Sequence, residues 1–209
     1  MLEPTAPDPE SFPYSLAVAP SPSVLPITWA RLRMCERRLA IFKKVAAEAL
    51  SHTPLLTVRV DDELGVFLLC LESALQILRE ESATQHPAKG RFNKWIGDQP
   101  GYDILLKGLR TLRHFEAHVQ PRPTEKRATI NAGHLTFVEG RLFREPGPLH
   151  VAGSFLLPQV DAEDLKRLLS PALSEPELPA WNDLRTSDDA EVLLGRGLAA
   201  AVSMAIGSR

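Results

Sequence analysis

Apolar positions recur at the 3.6-residue period of an amphipathic helix through the first part of the chain, then change to short alternating runs. From Thr28, which can cap a helix, Leu32, Leu39, Phe42, Val45, Ala46, Ala49 and Leu50 largely follow the helical period to about Ser51. Arg31, Arg33, Arg37, Arg38, Lys43 and Lys44 make its other face, expected to be solvated. After a short apolar piece, Leu55 to Val60, the acidic run Asp61, Asp62 and Glu63 puts negative charge where a helix N-terminus favours it. A second helix is therefore expected from there to about Ser82. Val66, Phe67, Leu69, Cys70, Leu71, Ala74, Leu75, Ile77 and Leu78 cover most of its circumference, the pattern of a central helix. Gln85 to Pro100, punctuated by glycine and proline, reads as a loop with one short helical turn. Pro100 suits the first turn of a third helix, Gly101 to Val119.

Beyond Pro121 and Pro123 the alternating runs Ala128 to Ile130, His134 to Val138, Arg141 to Phe143 and Val151 to Leu157 are separated by turn residues. They predict a small antiparallel meander at about 127–158. Asp161 then caps a short helix ending near Pro171, a proline-rich loop follows, and Thr186 or Ser187 caps a last helix reaching Ile206. Residues 1–26 carry prolines at 4, 7, 9, 13, 20, 22 and 26, which predict an extended arm. Phe12, Tyr14, Leu16 and Val18 make it apolar enough to lie along its own domain or a partner. The expected organisation is this arm followed by one mainly α domain, 27–209, with the β-meander inserted after the third helix.

Composition narrows the class. A hydrophobic fraction of 44% with 24% charged residues is that of a folding chain. A net charge of -2 excludes a strongly basic nucleic-acid coat or a polybasic membrane binder as the overall description. Cys35 and Cys70 lie inside apolar helical patterns with no CxxC companion, as expected of free thiols in a reducing compartment. The N-terminus has no basic segment leading into an apolar one, and no long uninterrupted apolar window occurs, so a cytoplasmic location without membrane contact is expected.

On a 100-degree wheel the third helix turns Leu105, Leu109, Leu112, Phe115 and Val119 to the core. Arg110, His114 and His118 fall on the opposite side, expected to face outward, with Arg113 on its flank. Glu116 falls on the apolar face, where an ionised carboxylate needs a partner. From His86 to Arg127, nine basic residues, among them Lys107 and Arg122, stand against four acidic ones, the kind of local patch a phosphate backbone requires.

The run Arg113-His114-Phe115-Glu116-Ala117-His118 resembles the signature of the HEPN superfamily, in which an arginine, often followed at once by Asn, Asp or His, precedes a histidine by four to six residues. The resemblance implies a compact helical bundle and a metal-independent endoribonuclease of toxin or antiviral defence type. It makes Arg113 the signature arginine, His114 the polar follower and His118 the signature histidine. Two departures stand out. The expected strands are an addition to a helical bundle, and the tyrosine found two residues after the histidine in some HEPN toxins is Gln120 here.

The chemistry is consistent, because cleaving RNA without a metal requires a base for the ribose 2'-hydroxyl and a cation for the developing phosphate charge. A histidine titrates near neutral pH, which suits His118 to carry the proton. An arginine presents a charged fork of donors to phosphate oxygens, which suits Arg113. His114 can orient the phosphate or carry the second proton, and Arg110, Lys107 and Arg122 are the candidate RNA-backbone contacts. Five residues turn a helix by about 500 degrees, leaving Arg113 and His118 about 140 degrees apart. A homodimer pairing two such helices would pool their cations and imidazoles. The alternative is a non-catalytic HEPN-like module binding RNA or protein, and either would accommodate a neutralising or defence-complex partner. His114 and His118 also have the spacing of a metal-ligand pair, but no third ligand is evident. No phosphate-binding glycine loop, nucleophile elbow or dinucleotide fingerprint occurs, so no metal and no cofactor is expected.

Overall fold

The longest apolar periodicities become the two longest helices of the computed structural model, which describes residues 25–51, 55–85, 92–118, 123–131, 135–138, 141–144 and 150–207. The expected arm up to Val24, Val119, Gln120 and Arg122 lie outside the described residues, as do the side chains of His118 and His150. Helix α1, Pro26–Ser51, and helix α2, Leu55–Gln85, make the most extensive contact between elements. Leu32, Leu39, Phe42, Val45, Ala46 and Ala49 are buried as the periodicity requires, together with Trp29 and Cys35. Burial pushes the Cys35 thiol up to about 12, so it behaves as a small hydrophobe.

Both helix starts differ from expectation. At the head of α1 the amides of Ile27 and Thr28 and the Thr28 hydroxyl all donate to the Glu81 carboxylate, at 3.0, 2.7 and 2.6 Å. A side chain of the neighbouring helix thus takes the orphan donors that Thr28 was expected to take. Helix α2 begins at Leu55 rather than Asp61, because Val60 opens the buried stripe continued by Leu64, Phe67, Leu68 and Leu71. Its expected all-round burial is also incomplete, for Leu69 is 46% exposed and Val66, Cys70 and Ile77 are half-buried.

The expected loop before the third long helix contains helix α3, Phe92–Gly97. Helix α4, Ile104–His118, starts four residues beyond Pro100. Asp103 Oδ1 caps it by accepting from the amides of Leu105 and Leu106, at 3.0 and 3.1 Å, while Gly101 at φ 87° supplies the preceding turn. Leu105, Leu109, Leu112 and Phe115 are buried as expected.

The β segment is antiparallel but is not a meander. Strands β1, Glu125–Asn131, and β4, His150–Leu156, pair with each other, and β2, Leu135–Val138, pairs with β3, Arg141–Arg144. One hairpin is therefore nested between the strands of another pair. The base of the ribbon is tied to the helices. The Thr124 amide and hydroxyl donate to Asp61 Oδ1 of α2, at 2.7 and 2.8 Å, and Glu125 pairs with Arg185 at 3.0 Å.

Asp161 caps helix α5, Ala162–Lys166, in a reciprocal capping box with Asp164. The proline-rich stretch expected to be a loop instead holds a 3-10 turn, Glu175–Glu177, and helix α6, Leu178–Ser187, with Pro179 in its first turn. Thr186 and Ser187 close α6 by bonding back to its own carbonyls, so neither caps the last helix, α7, Ala190–Gly207. By length and composition α7 is apolar enough to cross a bilayer, yet here it packs on α1, α2 and α4 and buries Leu193, Leu194, Ala201 and Met204. The architecture is mainly α, a helical bundle carrying a small antiparallel ribbon.

Candidate site on the last turns of helix α4

Helix α4 is covered on more sides than its wheel implies. Trp181 of α6, fully buried, lies on Gly108 so closely that a methyl group there would stand 2.1 Å from its ring. On another side, the buried Thr111 hydroxyl accepts from the Leu173 amide at 3.0 Å. Arg110, expected to face outward and bind RNA, is only 4% exposed. Its guanidinium holds the equally buried Glu72 of α2 by two bonds, Nε to Oε2 at 2.8 Å and Nη2 to Oε1 at 3.1 Å. It also donates to the Tyr102 hydroxyl at 2.7 Å and Asn93 Oδ1 at 3.0 Å, and lies 4.8 Å from the centroid of the Phe92 ring. The expectation for Arg110 is thereby corrected, since its donors are committed inside the protein. Despite the cost of burial, its bonds to Glu72 hold the guanidinium charged, and its pKa lies above the usual arginine value. Glu72 itself carried the missing signal, because a carboxylate inside the apolar run Leu68 to Leu78 needs a buried cation.

Lys107, also an expected RNA contact, is half-buried and pairs with Glu177 of the 3-10 turn. The outward face expected of this helix is thus reduced to its last turns. Arg113 and His114 are half-buried there, Ala117 is exposed, and His118 is the last helical residue. Arg113 Nε is buried and has no hydrogen-bond partner among the described residues. Arg113 and His114 lie in these last turns, and Arg110 and Lys107 are held by partners on α2 and the 3-10 turn.

Glu116 differs from the expectation: no arginine pairs with it among the hydrogen bonds and ion pairs of the described residues, although α4 continues past it. Its carboxylate lies on Gly65 of α2, where a methyl group would stand 2.8 Å from Oε2. Burial chiefly, and then the neighbouring Asp61 and Asp62, push its carboxyl up from 4.5 to about 7. The folded protein thus holds a proton that the unfolded chain releases above 4.5. Its stabilising contribution is complete below that value and is lost as pH rises through about 7. We expect Glu116→Gln to raise stability at about pH 8 by roughly 1 kcal/mol, allowing for solvent screening of a half-exposed group, and to change little at about pH 4. Urea unfolding of both proteins at the two pH values checks this. An equal effect at both would show that ionisation is not the cause.

Among the described residues no group of three or more His, Cys, Asp or Glu side chains is arranged to hold a metal ion. A cleft of about 230 Å³ opens elsewhere, between α1, β4 and the start of α7, lined by Phe42, Leu50, Phe155, Asp189 and Glu191 among others. It shares no residue with the turns around Arg113. Comparison with protein families, with characterised proteins and with solved structures finds no match to this chain.

Proposed function

We propose that the protein is a HEPN-like, metal-independent endoribonuclease of toxin or antiviral defence type, acting through Arg113, His114 and His118 at the end of α4. The observation that carries this reading is the contrast between the arginines of the helix. Arg110 spends its donors on Glu72, Tyr102 and Asn93, whereas Arg113, at the signature position, keeps a buried Nε without a partner. In this reading Arg113 binds the phosphate, His118 takes the 2'-hydroxyl proton and His114 orients the phosphate or returns a proton to the leaving oxygen. A homodimer about the last turns of α4, rather than along its whole length, would bring two such sets into one cleft.

A second reading, a non-catalytic module binding RNA or protein, is favoured by one observation. Lys107 and Arg110 are both committed to internal carboxylates, which leaves fewer cations for a phosphate backbone than the sequence implies. Incubation of the purified protein with single-stranded RNA in excess EDTA tests the choice. Cleavage supports the ribonuclease, loss of cleavage on adding EDTA points to a metal, and binding without cleavage supports the module.

A further inference from the structure

Helix α1 carries an apolar stripe that the described core leaves uncovered. Ile27 is 55% exposed, Met34 40% and Ile41 39%. Their spacing of seven residues returns to nearly the same side of a helix, so the three form one line. Cations flank it: Arg31, Arg33, Arg37 and Lys44 are exposed, and Arg31 Nη1 reaches Met34 Sδ at 3.9 Å. Glu36 is the lone acidic residue between Arg31 and Lys44. Two such faces would repel each other, which disfavours a second copy as the cover.

Residues 1–24 have the complementary composition. They contain Glu3, Asp8 and Glu10 and no lysine or arginine, and their apolar residues Phe12, Tyr14, Leu16 and Val18 alternate at period two. An extended segment places such residues on one face, and Phe12 to Val18 then spans about 20 Å, against about 21 Å from Ile27 to Ile41 on the helix. The chain enters α1 at the buried Leu25, immediately before Ile27, and Pro20 and Pro22 lie in the stretch where it would have to turn back. Docked in that direction, Val18 falls near Ile27, Phe12 near Ile41, and Asp8 and Glu10 near Lys44.

We propose that residues 1–24 fold back and cover the Ile27–Met34–Ile41 stripe of their own α1, with their carboxylates against its cations. Carbodiimide cross-linking of the full chain, prepared as a mixture of isotopically light and heavy copies, tests this. The expected result is an amide bond between Asp8 or Glu10 and Lys44, found only within copies of one label. Ile41→Glu, an exposed position, should lower that yield roughly tenfold or more, because it removes the burial of an isoleucine side chain and adds a like charge. Limited digestion with chymotrypsin is the second measurement. Cleavage after Tyr14 and Leu16 should be slow in the native protein and accelerate by a similar factor in Ile41→Glu. Absence of the cross-link with fast cleavage after Tyr14, cross-links only between light and heavy copies, or a yield indifferent to Ile41→Glu would each overturn the proposal.

Discussion

Replacing Arg110 by alanine is expected to destabilise the protein by about 3–5 kcal/mol, the range for removing one partner of a buried ion pair. The cost arises chiefly from Glu72, 4% exposed in the native protein, which loses both of its guanidinium bonds, and in part from Tyr102 and Asn93, which each lose a charged donor. Glu72→Ala should cost a similar amount for the reciprocal reason. The pair Arg110→Met with Glu72→Leu should recover most of the loss, since apolar side chains of similar volume often replace a buried pair at little net cost. Denaturant unfolding of Arg110→Ala, Glu72→Ala and the double alanine variant gives the coupling directly. Additive single effects, or a loss below about 1 kcal/mol for Arg110→Ala, would mean that Arg110 is not held in a buried pair with Glu72.

Arg113→Ala and His118→Ala are expected to behave in the opposite way, each lowering RNA cleavage by roughly two or more powers of ten while leaving stability within about 1 kcal/mol. The stability expectation for Arg113 follows from its half-exposed position and from the partnerless Nε, which the substitution removes without orphaning a described acceptor. Lys107→Ala should affect cleavage little, because Lys107 is already engaged by Glu177. Equal losses of stability and activity in the Arg113 variant would reassign it to the fold. Parallel measurement of unfolding and of initial cleavage rates separates the two.

What the sequence made legible follows from what its periodicity encodes. The core side of α1 and one side of α4 were readable because each carries a continuous apolar stripe that is buried, from Leu32 to Ala49 and from Leu105 to Phe115. Helix α6 was not, because Pro171, Pro176 and Pro179 read as a loop, although a proline is tolerated in the first turn, where Pro179 stands. Without α6 there was no Trp181 to lie on Gly108, and the second side of α4 seemed open. The partner of Arg110 is 38 residues away on α2, a relation that no local pattern carries. Strand pairing failed for a related reason: alternation identifies strands but does not say whether β1 pairs with β2 or, as here, with β4.

The most direct test of a metal-independent ribonuclease is the chemistry of the ends it leaves. Single-stranded RNA incubated with the protein in excess EDTA should be cut to fragments ending in a 2',3'-cyclic phosphate, with the His118→Ala protein inactive under the same conditions, as attack by the 2'-hydroxyl through a histidine base requires. Intact RNA, or cleavage that persists undiminished in His118→Ala, would contradict the account.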